Sequence, residues 1–323
     1  VIRDGGRWNS AFVAGLPWRM QAMGRRGFAA YGSCWLALSS FLASFLIALT
    51  ANSTEEVPAS TLFGLKGKAA DLPQQSIGTY SSGCLAGGVS ISESGLGFQT
   101  MRPSRNRNWA HPMLKGFIEE LGAEVAKRKY AGLLVGDFSQ PRGGPMAGGH
   151  LSHQTGLDVD IWFKPSPNHK LTISDREGIS ADSVVAGTNW PWVNAKFTDR
   201  EIWLLKVVAE EPRVARVFVA APIKKALCEN KKIKEFSWLQ KIRPWYGHTH
   251  HFHVRLTCPS DSAECIEQAM LPDGPGCGAE LDWWLSSERT ITKREKSQTK
   301  SKVKLLTDLP ENCSNVLNAE ALR

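Results

Sequence analysis

None of the seven cysteines stands in a CxxC pair, which excludes a cysteine-built zinc finger and a thioredoxin-like redox centre. The chain has no GxSxG, HExxH or glycine-rich phosphate loop, and so lacks the signatures of a serine hydrolase elbow, a helix-borne zinc protease and a nucleotide site. It has no internal repeat, and its basic residues are not interleaved with aromatics in any nucleic-acid-reading motif, so nucleic acid is not an expected partner. Histidine is scarce, at eight in 323 residues. That scarcity makes its distribution informative.

Six of the eight histidines fall in two short segments, GGHLSHQTGLDVD (148–160) and YGHTHHFHVRL (246–256). In the first, Leu157, Val159 and Ile161 alternate with Asp158, Asp160 and Trp162. In the second, Phe252, Val254 and Leu256 alternate with His251, His253 and Arg255. Period-two alternation predicts two half-buried strands, each apolar on one face. Polar groups at this density beside Val, Ile and Trp are costly to bury unless hydrogen bonds or a metal ion satisfy them. Two such strands would turn their His and Asp residues into one cleft. Three ligands from His, Asp and Glu with one position left for water are the usual set of a catalytic zinc.

Length and composition (42% hydrophobic, 22% charged) fit one or two globular domains. The rest of the chain reads as helix over 111–128, strand over 132–138, a Pro/Gly loop over 140–149, helix over 198–212 with Thr198 and Glu201 as a capping box, strand over 214–220 and helix near 222–230. SSGCLAGGVS (81–90) reads as turn, and 54–75 as a processed or mobile leading segment. Mixed strands and helices without a repeating order give an α+β single domain. Its expected design is a central antiparallel sheet carrying the zinc site, with helices packed on it and disulfide staples.

Arg25 and Arg26 precede an apolar run that ends near Asn52, the pattern of an export signal cleaved around residues 48–53. The run is also long enough to act as a membrane anchor. Met20 and Met23 stand just before it, so the natural start is open. Residues 1–50 hold five arginines and one aspartate, and without them the formal charge of +8 falls to +4. Much of the remainder lies in 288–304, where seven basic and two acidic residues suit a solvated arm with loose affinity for an anionic wall. With Cys34 set aside inside the apolar run, six cysteines remain, an even number that suits three disulfides in an oxidising compartment.

The pattern His153-x6-Asp160 followed by His251-x-His253 resembles the metallopeptidases that include lysostaphin, the D-Ala-D-Ala peptidases and the hedgehog signalling domain. Within that group the segments MRPSRNRNWAHP, VGDFSQPRGGPMAGGHLSHQTGLDVDIWF, ARVFVAAPIKKALC, KIRPWYGHTHHFHVRLTCP and GCGAELDWW, scattered over residues 84–285, resemble the penicillin-insensitive murein endopeptidases. The resemblance implies a periplasmic, zinc-dependent (Zn2+) hydrolase of the D-alanyl–meso-diaminopimelyl cross-link in peptidoglycan, insensitive to β-lactams. His153, Asp160 and His253 would bind the metal, with His150 as a further ligand or a group behind the ligands. His251 would move the proton or stabilise the transition state, and His248 would orient substrate or His251. Asp158 is expected to fix a ligand histidine or the entry loop, and Arg102, Arg105 and Arg107 are candidates either for binding wall-peptide carboxylates or for a basic surface. The resemblance also implies the disulfides Cys84–Cys313, Cys228–Cys277 and Cys258–Cys265.

The expected organisation is an N-terminal extension and signal over 1–51, a mobile segment over 52–78, the peptidase domain over 79–286 and a basic tail over 287–323 tied back through Cys313. One family feature is absent. The interfacial Asp-x-x-His of some members has no counterpart, since no histidine lies between His169 and His248. Dimerisation stays open, and no stable membrane partner is expected after signal cleavage. The rivals are a zinc D,D- or L,D-carboxypeptidase and a non-catalytic, zinc-stabilised wall-binding protein.

Overall fold

Alternation in the two His/Asp segments becomes two paired strands at the middle of a sheet. The computed structural model describes residues 56–187, 191–286 and 303–323. The predicted signal and most of the basic run lie outside them. Strand β8 (Asp158–Pro165) pairs antiparallel with β11 (His251–Leu256). The register sets His253 opposite Asp160 and Arg255 opposite Asp158. Val159, Ile161, Phe163, Phe252, Val254 and Leu256 are all buried and belong to the main core. Slipping either strand by one residue would drive its charged set into that core, so burial pins the register.

Around this pair the sheet extends to seven strands in the order β10-β9-β11-β8-β7-β5-β4. The others are β9 (Val214–Val219), β10 (Ile242–Pro244), β7 (Leu133–Val135), β5 (Phe98–Thr100) and β4 (Ser94–Gly95). Pairing is antiparallel from β9 through β7, where the site lies, and parallel between β9 and β10 and between β5 and β7. The fold class is therefore α+β, on a mixed sheet.

Helices cover the apolar face. α2 (Pro112–Lys127) buries Leu114, Phe117, Ile118, Leu121 and Val125, and the His111 ring nitrogen caps its start by accepting from the Met113 N–H. α4 (Asp199–Glu210) begins with the predicted capping box, Thr198 with Glu201, and buries Leu204, Leu205 and Val208. α5 (Ala221–Cys228) adds Ile223 and Leu227. Each fully buried side chain of this kind contributes roughly 1.5–3 kcal/mol of transfer free energy.

Two expectations need correction. The stretch 81–90 is not turn throughout: β2 (Ser82–Ala86) pairs with β1 (Gln75–Thr79) in a hairpin that buries Ile77, Cys84 and Leu85. The leading segment is packed from Pro58 onward, where α1 (Ala59–Gly64) inserts Phe63 into a second small core with Cys84, Cys313, Val316 and Leu317. Cys313, Val316 and Leu317 belong to α7 (Asn312–Asn318), so the end of the chain is part of the domain. Arg142, itself buried, donates to the carbonyls of Val316, Leu317 and Ala319 and ties this last helix to the 140–149 loop. All three disulfides form with the expected pairing.

Candidate metal centre

His153 begins the site with an unusual backbone. Its φ is +65°, rarely adopted by a residue with a side chain, and Asp158 stabilises it by accepting the His153 N–H at 3.0 Å. The carbonyl of the same residue accepts from Ser139 Oγ at 2.6 Å. The loop that delivers it needs its glycines: a Cβ on Gly143 (φ +65°) would collide with the carbonyl of Gln154.

The His153 ring is fully buried, and its Nδ1 lies 3.1 Å from the Phe138 carbonyl. That carbonyl can only accept, so the proton sits on Nδ1 and the Nε2 lone pair faces inward. His153 Nε2 lies 3.1 Å from His253 Nδ1 and 3.5 Å from Asp160 Oδ1, and His253 Nδ1 lies 3.2 Å from the same oxygen. Asp160 Oδ1 is buried and receives no hydrogen bond among the described residues. Ligands held at 2.0–2.2 Å on one tetrahedral ion stand roughly 3.3–3.6 Å apart, close to the observed triangle. The donor set and its orphaned oxygen fit a divalent metal.

A second grouping shares two of these residues, since His150, His153 and Asp160 each offer an atom within 4.8 Å of the others. The His150 ring lies between two carboxylates, with Nε2 3.0 Å from Asp137 Oδ2 and Nδ1 3.5 Å from Asp160 Oδ2. The triangle containing His253 is tighter and is the better match to ligand spacing.

Charge is tightly controlled here. Burial opposes ionisation of Asp160, but His251 and His153 outweigh it and hold the carboxyl well below its usual range. Burial drives His153 down to about 4, so its ring is neutral. Burial also disfavours charge on His253, yet Asp158 and Asp160 on either side raise it to about 9.

Asp158 is the support of the site. Its Oδ1 is 3.0 Å from His253 Nε2, a close contact rather than an aligned hydrogen bond, and 2.8 Å from Arg255 Nε. Arg255 also reaches Gln268 at 2.8 Å and is stacked on Tyr80 at 4.2 Å and Phe218 at 5.1 Å. Neighbouring charges and hydrogen bonds therefore position both His153 and His253, as the sequence suggested for Asp158.

His251 stands at the edge, 27% exposed, with Nε2 3.6 Å from Asp160 Oδ2. Burial lowers its pKa, with Asp160 opposing. The His248 ring packs on it with centroids 5.0 Å apart, and His248 Nδ1 donates to the Tyr246 carbonyl at 2.7 Å. Burial, then His253 and His251, push His248 down to about 3. His250 is exposed and bonded to Thr249. His111 and His169 serve elsewhere.

Two participants carry little signal in the sequence. Asp137 reaches the site through the backbone, because its carbonyl accepts from the Asp160 N–H at 3.1 Å. Nothing in the spacing from Asp137 to His150 announces that contact. Arg255 shares a predicted strand face with the histidines, which was the available clue.

Among the described residues no helix is long and apolar enough to cross a membrane. The family model for penicillin-insensitive murein endopeptidase matches residues 76–318. Proteins named penicillin-insensitive murein endopeptidase are similar to this chain: one from Haemophilus influenzae is 37% identical over 75% of the chain and 82% of its own length. One from Klebsiella pneumoniae (strain 342) is 38% identical, and one from Escherichia coli K12 is 37% identical, each over 77% of the chain and 88% of its own length. Agreement over this length, together with the buried histidine–aspartate triangle, assigns the chain to the penicillin-insensitive murein endopeptidase family.

Proposed function

We propose that this chain is an exported zinc endopeptidase that hydrolyses the D-alanyl–meso-diaminopimelyl cross-link between peptide stems of peptidoglycan. The convergence of His153 Nε2, Asp160 Oδ1 and His253 Nδ1 within 3.1–3.5 Å carries this reading, because two imidazoles and a carboxylate gathered in a buried site form a metal-ligand set once His253 gives up its proton. These three would hold the zinc, with His150 alongside through its contact with Asp160 Oδ2. The bound ion supplies Lewis acidity and acidifies water at neutral pH.

The protein's own groups do the rest. His251 is neutral near pH 7 because its pKa is lowered, and it stands at the partly exposed edge of the site. It accepts the proton of the attacking water and returns it to the leaving amine. His248, anchored through Nδ1 to Tyr246, packs against the His251 ring and orients it. Asp158 and Arg255 hold the ligand histidines in place. No serine is acylated, so β-lactams should leave the activity intact. The proposed domain over 79–286 is completed by the Cys313-bearing segment, and the leader over 1–51 supports a periplasmic location.

Digestion of purified cross-linked muropeptide dimers, with products identified by mass spectrometry, tests this reading. Monomers are expected. Free D-alanine with dimers intact would instead establish a carboxypeptidase, and intact dimers without release would leave a wall-binding protein.

A further inference from the structure

Three arginines lie just before α2, and the structure sorts them. Arg102 is consumed: it stacks over Trp162 at 5.5 Å and donates to the carbonyls of Arg176, Glu177 and Ile179. Arg107 is largely covered, with Nη1 on Asp137 at 2.9 Å and Nη2 on the Gly148 carbonyl at 3.2 Å, so it braces the loop that carries His150. Arg105 differs. Its side chain is 48% exposed and uses only Nη1, which donates to Asp137 at 3.1 Å, while Nε and Nη2 meet no acceptor among the described residues.

The charge count points the same way. One buried carboxylate, Asp137, faces two guanidinium groups, so this cluster carries a surplus positive charge, and its exposed member is Arg105. Asp137 also contacts His150 at 3.0 Å, and His150 contacts Asp160 at 3.5 Å. Arg105 thus stands three contacts from the metal-binding donor group. A guanidinium with its Nε/Nη2 edge free matches a carboxylate through two parallel hydrogen bonds.

We propose that Arg105 reads the carboxylate next to the scissile amide, the one borne by the carbon attached to the leaving nitrogen. This rests on the endopeptidase reading above, in which that nitrogen belongs to a diaminopimelyl residue. Arg105 is then a specificity-determining residue, and Arg107 a structural one.

The test uses two synthetic cross-linked peptide dimers that differ only in that group, free carboxylate in one and carboxamide in the other. For the wild-type protein, kcat/KM should favour the carboxylate by about 10- to 100-fold, the range of a charge-assisted hydrogen-bonded pair. Arg105→Ala should bring the ratio close to one. Arg105→Lys should retain part of it, because the charge survives without the fork. Arg107→Ala should lower both substrates together and leave the ratio as in the wild type.

Binding of the two uncleaved dimers to metal-free protein supplies the same ratio without turnover. Discrimination in binding that depends on Arg105, with no cleavage of either dimer, would count against the endopeptidase reading and still support this inference. A wild-type ratio near one, or a wild-type ratio preserved in a folded Arg105→Ala protein, would overturn it.

Discussion

Replacing Asp158 with asparagine removes one charge and almost no volume, yet it should weaken both the fold and the metal site. The carboxylate is fully buried and accepts from the His153 N–H at 3.0 Å and from Arg255 Nε and Nη2 at 2.8 and 3.2 Å. It also holds His253 Nε2 at 3.0 Å. Arg255 is only 7% exposed, so the variant leaves a guanidinium buried without its counter-charge. Breaking a buried pair from one side costs about 3–5 kcal/mol. For a domain of this size each kcal/mol moves Tm by about 2–4 °C, so the metal-free variant should melt roughly 6–20 °C lower. Loss of the group that positions two ligand histidines should lower metal affinity by about 10- to 100-fold.

Thermal unfolding of metal-free protein and titration against a chromophoric chelator measure the two effects separately. Asp158→Asn combined with Arg255→Met should recover much of the stability, because no charge is then stranded, and little of the metal affinity. A single variant with Tm and metal affinity equal to wild type would refute the assigned role of Asp158.

Three further outcomes are expected. His251→Ala should lose about 100- to 10,000-fold in cross-link cleavage while keeping its full metal content, since His251 is assigned a proton and not the ion; loss of metal in this variant would reassign it as a ligand. His253 is held at about 9 in the metal-free protein, above its ordinary 6.5, so it is protonated through pH 7–8 and must lose that proton to bind metal. Calorimetry in buffers of different ionisation heat should detect release of about one proton per ion between pH 7 and 8, with affinity rising about tenfold per pH unit until about pH 9; pH-independent binding would contradict the assignment. Finally, Cys84–Cys313 spans 229 residues and Cys258–Cys265 spans 7, so chain entropy makes removal of the first costlier by about 3 kcal/mol. Chemical denaturation of the two paired Cys→Ser variants checks that order.

Much of the site was legible because burial writes itself into strand alternation. Val159 and Ile161 against Asp158 and Asp160, and Phe252 and Val254 against His251 and His253, marked two strands with one apolar and one chemical face. Their antiparallel pairing then set His253 beside Asp160. The helices 111–128 and 198–212 were similarly plain, the second down to its capping box.

What stayed hidden depends on contacts far apart in the chain. The hairpin strand Ser82–Ala86 is rich in glycine and serine, whose local preference is for turns. Burial of Cys84 and its disulfide to Cys313 override that preference. α1 packs into a small core that Cys313, Val316 and Leu317 of α7 complete from far along the chain. Arg102, Arg105 and Arg107 are chemically identical in the sequence. Only the carbonyls of the α3 region (Ile173–Gly178 and the following Ile179), which absorb Arg102, and the Gly148 carbonyl, which holds Arg107, distinguish them.

The most direct test of the whole account is to add zinc in steps to metal-free protein and follow cleavage of cross-linked muropeptide dimers. Cleavage should rise linearly and saturate at one ion per chain, with Asp160→Asn remaining inactive throughout. Full cleavage before any zinc is added, or intact dimers at saturation, would contradict it.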